Sequence, residues 1–189
     1  MNKYELINLS KFYNNNAFSY IEYYKNGENG DFTFSGLQSC YPSEDLPDGD
    51  ELVYLNEIPF IFPSKCKNKQ NNFELADQHI HIQNNKYKKV HFLGSADIDN
   101  HVEQVSFYSK INIYVRELGL TNWLREKPLY NEKVGVRCSK AYSLKGEHDN
   151  FKPTIWHQVI NIEDIEDPIN TISFRDNPSV HIFCITLER

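Results

Sequence analysis

The chain has 189 residues, and its eight Gly and eight Pro are scattered, so no linker separates two parts. A chain of this length can bury one sizeable core, and we predict a single domain over residues 1–189. The net charge is -6 and the lysines are dispersed. The chain therefore lacks the basic patch that partners such as nucleic acids or anionic membranes need. The N-terminal MNKYELINLSKFY has no signal-peptide pattern, and no window reaches about 18 apolar residues, so we expect a cytoplasmic protein.

Aromatic residues make up 14% of the chain and recur with Ile and Val in short alternating runs between Asn, Asp, Gly and Pro. Alternation of this kind is typical of β-strands. The clearest predicted strands are 31–34, 51–55, 58–62, 79–82, 89–96, 103–109, 112–118, 154–162 and 181–187. Helical signals are weak. Gly119 interrupts a candidate helical turn over 115–125, and the segment 161–167 is more typical of a strand end before an acidic turn. The pattern therefore predicts an all-β protein, an antiparallel two-sheet sandwich or jelly roll.

The last run, VHIFCITL, is apolar at nearly every position. Strict period two places His181, Phe183, Ile185 and Leu187 on one face and Val180, Ile182, Cys184 and Thr186 on the other. A strand that is apolar on both faces is typical of the middle of a sheet or of a position between layers. Cys40, Cys66, Cys138 and Cys184 show no C-x-x-C spacing, so we expect neither a zinc knuckle nor a dithiol pair, and we expect Cys184 to be a small buried residue.

Several segments in order match a known family. They are NLSKFYNNNAFSY, GDFTFSGLQSCYPSEDLP, EIPFIFP, VHFLGSADIDN, VSFYS, GLTNW and VHIFCITLE. Together they resemble a galactose-binding-like β-sandwich domain that is appended to bacterial glycoside hydrolases, including α-L-fucosidases. The resemblance implies a galactose-binding-like jelly roll and a role in carbohydrate binding, and it says more about fold than about function.

The stretch DQHIHIQ places His79 and His81 two residues apart, with His91 further on. Residues i and i+2 of a strand share a face, so the pair could hold a transition metal. However, the glutamate that follows such a pair in cupin-type sites is missing. We therefore predict an ordinary strand with Ile80 and Ile82 inward and both histidines outward.

Calcium is the metal that the resemblance favours, because galactose-binding-like sandwiches often hold a structural Ca²⁺ near the ends of their first and last strands. Such an ion takes carboxylate and carbonyl oxygens. Asp31 follows a glycine-bearing loop and Glu188 closes the last strand. These two residues are the expected calcium ligands.

A sugar site needs an aromatic platform and convergent polar groups. The loop-proximal candidates are Arg137, Tyr142, His148, Trp156, Trp123 and His101. For Trp123 and Trp156 a structural role is the stronger interpretation, whereas Arg137 is the more informative polar residue because a guanidinium is costly to bury unpaired.

No G-x-S-x-G, Walker A or H-E-x-x-H motif is present. We therefore expect a non-catalytic module that binds a carbohydrate or a glycosylated small molecule and has no catalytic residues. The alternative is a calcium-assisted cyclase or tailoring enzyme of natural-product biosynthesis on the same sandwich. A protein-interaction subunit and a homodimer also stay open.

Overall fold

A computed structural model describes residues 3–27, 30–33 and 38–189 of the protein. Strands account for 50% of the chain and helix for 4%, which confirms the all-β class. Of the predicted strand at 31–34, residues 31–33 belong to no strand, and Phe34 lies outside the described residues.

The strands follow one another along the described residues. The first eight are β1 (Tyr4–Leu6), β2 (Phe18–Ser19), β3 (Tyr41–Pro42), β4 (Leu52–Leu55), β5 (Ile58–Ile61), β6 (Phe73–Leu75), β7 (His79–Asn85) and β8 (Lys89–Ala96). The next eight are β9 (His101–Tyr108), β10 (Ile113–Leu120), β11 (Lys133–Arg137), β12 (Ala141–Ser143), β13 (Gly146–His148), β14 (Thr154–Asn161), β15 (Ile169–Phe174) and β16 (Asn177–Glu188). In the part of the chain that the structure describes, one short helix, α1 (Ile21–Lys25), and a 3₁₀ turn (Ser43–Asp45) interrupt them.

Two antiparallel sheets form the sandwich. The larger has the order β1-β16-β8-β14-β11, with β6 pairing beside β1 on the same edge of β16, and the smaller has the order β10-β9-β15-β7. The eight strands β6-β16-β8-β14 and β7-β15-β9-β10 thus alternate between the sheets as two interleaved Greek keys. This connectivity is that of a jelly roll, as the strand pattern predicted.

The main core lies between the two sheets. Val90 and Phe92 of β8, Phe107 of β9 and Ile172 of β15 are completely buried there. Each comes from a run in which alternate residues are apolar, so period two directs one side of every strand to this layer. The buried area of this layer is the main source of folding free energy.

The larger sheet is also covered on its outer face. A second cluster joins Leu93, Phe183 and Ile155 of the sheet to Phe60 and Phe62 of the segment around β5. The β4–β5 hairpin is anchored on β16 by two hydrogen bonds, from Thr186 Oγ1 to the Pro59 carbonyl (2.7 Å) and from Cys184 Sγ to the Ile61 carbonyl (3.3 Å). The predicted position of the last strand between two layers is confirmed.

The predicted strict alternation along β16 is wrong, because the strand carries a bulge. Its register against β8 shifts between Ile182 and Cys184, so Phe183 is the extra residue. Val180 and Ile182 face the inter-sheet core, Phe183 and Cys184 face the outer layer, and Ile185 and Leu187 return to the inter-sheet core. One bulge therefore lets both halves of the strand supply both layers.

The NNN run is a structured polar element. Asn14 exchanges hydrogen bonds with the backbone of Glu74, and Asn15 donates to the Asp31 carbonyl (2.8 Å). Asn16 accepts from Asn71 Nδ2 (2.5 Å). The run thereby ties the N-terminal segment to the strand β6.

His181 and Asn72 continue this network inside the protein. Asn72 Nδ2 donates to Asn15 Oδ1 (2.9 Å), which leaves Asn72 Oδ1 to accept from His181 Nδ1 (2.9 Å). Burial lowers the pKa of His181 to about 3, so this imidazole is neutral. Its ring packs against Phe32 at 4.1 Å between centroids.

Several elements were missed in the sequence. Ile169–Phe174 forms β15 in the middle of the smaller sheet, and Ile21–Lys25 forms α1. The 115–125 segment, considered as a helical turn, is strand up to Leu120. The four cysteines are free thiols, and Cys184 is buried as expected.

The Asn72–His181 contact generates a stability prediction. Asn72→Ala leaves the buried imidazole of His181 and the partly buried amide of Asn15 without their partner, so we expect a loss of about 2 to 4 kcal/mol in the free energy of unfolding. Urea denaturation measures it. The exposed Asn150→Ala is the matched control and should change stability by less than about 0.5 kcal/mol. Equal stability of the two variants would contradict the role of the network.

Candidate functional site

A concave site lies where the outer layer stops covering the larger sheet. It has a cavity volume of about 810 Å³, within the range of small-molecule sites. Its lining residues are Lys3, Tyr4, Asn56, Glu57, Ile58, Lys89, His91, Val102, Glu117, Gly119, Leu129, Tyr130, Asn131, Lys133, His157, Gln158, Val159 and Glu188. Seven strands of the two sheets, the β4–β5 hairpin and the loop between β10 and β11 contribute to it.

Strand register brings the polar groups of the floor together. His91 of β8 lies opposite Val159 of β14, and Lys89, two residues earlier on the same face, lies opposite Glu188 of β16. His157, two residues before Val159, lies opposite Lys133 of β11. Because side chains of a strand repeat with period two, all of these residues point to the outer face.

Hydrogen bonds join the floor residues into a chain. His157 Nε2 lies 3.1 Å from His91 Nδ1, and His91 Nε2 lies 3.2 Å from Glu188 Oε2. Glu188 Oε1 forms an ion pair with Lys3 Nζ at 3.1 Å. The two imidazole rings are tilted by 38° to each other and are joined through one nitrogen of each. They do not converge on one point, since the two nitrogens of His91 have different partners.

Asn56 determines which atoms donate and which accept along this chain of hydrogen bonds. Its Nδ2 donates to the Val134 carbonyl (2.9 Å) and lies 3.3 Å from His157 Nδ1. His157 Nδ1 therefore accepts, so its proton resides on Nε2 and is donated to His91 Nδ1. His91 in turn carries its proton on Nε2 and donates it to Glu188.

The turn between β4 and β5 positions Asn56. Asn56 and Glu57 both have positive φ, at 52° and 68°, as a two-residue hairpin turn requires. Asparagine tolerates this backbone conformation better than most residues. The turn thus holds the amide over the imidazole of His157.

Burial keeps both histidines neutral. It lowers the pKa of His157 to about 4, and the neighbouring His91 and Lys133 add to the effect. Burial also lowers the pKa of His91, against the opposing influence of Glu188. At neutral pH the floor therefore contains two uncharged imidazoles next to one carboxylate.

Glu188 is the charged end of the chain. Burial by itself raises its pKa, but hydrogen bonds from Lys3 and His91 outweigh burial and lower the pKa. The carboxylate is thus ionised at neutral pH, and 14% of its side chain is exposed to the cavity. This arrangement can accept a proton or hold a cationic or hydrogen-bond-donating group.

A buried carboxylate shapes the wall opposite the hairpin. Glu132 accepts from Thr121 N (2.6 Å), from Thr121 Oγ1 (2.9 Å) and from Tyr130 N (2.9 Å). Tyr130 packs directly on Gly119, where a Cβ atom would lie 2.5 Å from the ring. The loop from Thr121 to Glu132 is therefore held firmly beside β14.

The aromatic residues expected in a sugar site are buried. Trp156 is completely buried, and Trp123 and Tyr142 are each 2% exposed. Trp123 packs on Phe32 and Tyr41, so it is a core residue. These three side chains offer no exposed platform for a sugar ring.

The expected polar residues of the sugar site lie apart from one another. Arg137 is exposed and bonded to Thr154 Oγ1 (2.9 Å), with its guanidinium over the Trp156 ring. His148 contacts Ser143 Oγ (2.7 Å) in the β12–β13 hairpin, and His101 contacts Asn177. None of the six predicted residues lines the cavity.

The two expected calcium ligands lie at opposite ends of β16. Asp31 is near Asp97, whose backbone N–H donates to the Ser179 carbonyl near the start of the strand. Glu188 is nine residues further along, roughly 30 Å away. One ion cannot contact both, and no three His, Cys, Asp or Glu side chains converge as a metal site within residues 3–27, 30–33 and 38–189.

The DQHIHIQ stretch has the predicted orientation. In β7, Ile80 is buried, Ile82 is partly buried, and His79 and His81 are exposed on the outer face of the smaller sheet. His81 contacts Thr171 Oγ1 at 3.1 Å. His91 belongs to the larger sheet, so it does not join this pair.

Only some of the cavity residues could be recognised in the sequence. His91 and Glu188 were noted for other reasons, and His157 was not singled out. Lys89 with His91, and His157 with Val159, show the i, i+2 spacing of a strand face, but their proximity depends on which strands pair. Asn56 could be recognised as a turn residue and not as a partner of a histidine.

The fold and the cavity define the class, an antiparallel β-sandwich domain with a polar concave site on the outer face of its larger sheet. The chain belongs to the family of AziU2-like beta-sandwich domains, whose family model matches residues 3–189. This family is linked to natural-product biosynthesis. The match agrees with the resemblance to galactose-binding-like domains only at the level of the β-sandwich.

No curated protein matches the chain. In the part of the chain that the structure describes, no helix is long and apolar enough to cross a bilayer.

The neutral histidines predict a loss of stability in acid. An unfolded histidine has a pKa near 6.5, whereas that of His157 is about 4, so between these values the unfolded chain binds a proton that the folded chain does not. Stability therefore falls as pH falls through this window, by up to about 1.4 kcal/mol per pH unit for His157. Melting temperatures from pH 7.5 to 4 should show a shallower fall for His157→Gln, and an unchanged profile for the exposed His79→Gln. Parallel profiles for all three proteins would contradict the assignment.

Calcium binding stays a prediction that a thermal shift can test. An ion that binds only the folded state raises the melting temperature by mass action. We expect a higher melting temperature in millimolar CaCl₂ than in EDTA, and a smaller difference for Asp31→Asn. Identical melting temperatures with calcium and with chelator would remove calcium from the description.

Proposed function

We propose that this domain acts in natural-product biosynthesis by binding a small-molecule intermediate in the cavity and accepting a proton from it at Glu188. The observation that carries the proposal is the hydrogen-bonded chain from Asn56 through His157 and His91 to the Glu188 carboxylate. The chain ends in a cavity large enough for a small molecule. The family's link to natural-product biosynthesis supplies the context.

Glu188 is the candidate general base of the cavity. Its carboxylate is ionised at neutral pH and partly exposed to the cavity. An O–H or N–H group of a bound ligand can reach the carboxylate and transfer its proton. Lys3 and Lys89 lie beside it and offset the negative charge that would develop on the ligand.

The two histidines orient this base. His91 donates to Glu188 Oε2, which fixes the carboxylate plane, and His157 fixes the tautomer of His91. A neutral imidazole can give and take a proton without leaving a buried charge. The pair therefore supports proton transfer at Glu188 at modest electrostatic cost.

This proposal keeps the tailoring-enzyme alternative of the sequence analysis and needs no calcium. The rival function is a non-catalytic carbohydrate-binding module. A pyranose is recognised mainly by an exposed aromatic face, and the three aromatic residues expected for that role are buried. Tyr4 and Tyr130 line the cavity, and the experiments below distinguish a sugar from a biosynthetic intermediate as its ligand.

Complementation tests the proposal in the organism that carries the gene. Deletion should remove one metabolite from culture extracts and cause its precursor to accumulate, as measured by liquid chromatography and mass spectrometry. Glu188→Gln keeps the size of the side chain and its contact with His91, and it should reduce product formation by about 10²-fold or more. His79→Gln, on the outer face of the other sheet, should restore the metabolite fully.

Two results would overturn the proposal. Full complementation by Glu188→Gln, with normal protein levels, would exclude proton transfer at this carboxylate. Saturation-transfer NMR that detects binding of a free saccharide, lost in Tyr4→Ala, together with an unchanged metabolite profile after deletion, would favour the carbohydrate-binding module.

A further inference from the structure

We propose that the cavity recognises a carboxylate attached to an apolar chain, with the carboxylate at Lys89 and the chain on Val159, Val102 and Leu129. The inference rests on the proposed function of the same cavity and specifies its ligand class. It follows from how charge and apolar surface are divided between the two ends of the site.

The end of the cavity near β1 carries an uncompensated positive charge. Lys3 forms an ion pair with Glu188, so these two charges offset each other. Lys89 lies opposite Glu188 in the sheet, yet no carboxylate among the described residues forms an ion pair with it. Its ammonium group still influences both His91 and Glu188 electrostatically. An anionic group of a ligand at Lys89 would neutralise the remaining positive charge at this end.

The opposite end gathers three exposed aliphatic side chains, next to the exposed carboxylate of Glu117. Val102 and Leu129 are each 49% exposed, and Val159 is 38% exposed, although all three line a concave site. Exposed aliphatic groups that gather in a cavity mark a surface for an apolar partner. A flexible hydrocarbon chain can cover all three side chains at once.

The geometry of the sheet connects the two ends. From β16 to β14 the larger sheet spans two strand spacings, roughly 10 Å, and Val159 lies next to His91 across the strand pair. A chain that starts at Lys89 therefore crosses His91 and Val159 before it reaches Leu129 and Val102. The neutral state of His91 makes this passage less costly than a charged imidazole would.

This division of the site also discriminates between ligand classes. A free sugar carries hydroxyl groups along its whole length, and placing them against Val102, Val159 and Leu129 would remove water without replacing its hydrogen bonds. An alkanoate has its polar group at one end only. The cavity therefore favours the alkanoate over the sugar.

Sodium alkanoates are the probes that test the proposal. Hexanoate, octanoate and decanoate, at millimolar concentrations, are titrated into the full-length protein and followed by ¹H–¹⁵N NMR and calorimetry. Each added methylene should strengthen binding by about twofold to fourfold. Octanamide, which lacks the charge, should bind at least tenfold more weakly than octanoate.

Variants separate the two ends of the ligand. Lys89→Gln should weaken octanoate and decanoate by a similar factor, whereas Leu129→Asn should weaken decanoate more than hexanoate. The matched controls are Lys110→Gln and Leu144→Asn, which replace an exposed lysine and an exposed leucine outside the cavity and should change nothing.

The outcomes also distinguish this proposal from the proposed function. Binding that is independent of chain length, or unaffected by Lys89→Gln, overturns the ligand class. Glu188→Gln is expected to bind octanoate at least as well as the unmodified protein, because the change removes a negative charge near the carboxylate. If alkanoates fail to bind while Glu188→Gln still abolishes the metabolite, the function stands and the ligand class is wrong.

Discussion

The larger sheet lies between the smaller sheet and a second apolar layer, and this burial on both faces constrains the polar groups that its strands carry. A buried polar group without a partner costs about 1 to 3 kcal/mol, so each must be matched inside the protein. His181 is matched by Asn72, and Thr186 by the carbonyl of Pro59. His91 and His157 are matched by each other. The same constraint that stabilises the fold thus produces the polar chain of the cavity.

The cavity exists because the outer layer covers the sheet only in part. The β4–β5 hairpin packs on β16 through Pro59 and Ile61, and its turn stops over His157. Beyond that turn the face carries Lys89, His91 and Glu188, which retain access to the cavity. The protein therefore combines a rigid floor of strands with a site that a small molecule can enter, which suits preorganised recognition better than induced closure.

Local pattern predicted the strands well and their neighbours poorly. The runs at 89–96, 154–162 and 181–187 correspond closely to β8, β14 and β16 because period two and aromatic content are local properties. The bulge at Phe183 was not predictable, since a purely apolar strand gives no sign of which residue is extra. The site could not be predicted either, because His91 and Glu188 are 97 residues apart in the sequence. Only the pairing of β8 with β14 and β16 brings His91, His157 and Glu188 together. Among the residues expected in a sugar site, Trp123 and Trp156 are core residues, because a large aromatic side chain looks the same in the sequence whether it packs in a core or lines a site.

Asn56 has two roles, one in the backbone of the hairpin turn and one as a hydrogen-bond donor to His157. The position of Asn56 requires a residue that accepts a positive φ, and glycine meets that requirement equally well. Only a side-chain amide also supplies a donor to His157, however, so glycine would preserve the hairpin and release the orientation of the two imidazoles. Aspartate would offer an acceptor in place of the donor, which would favour a proton on His157 Nδ1 and reverse the polarity of the chain toward Glu188. The identity of a single surface residue is thus enough to set the order of proton donors and acceptors along the cavity floor, while the architecture stays the same.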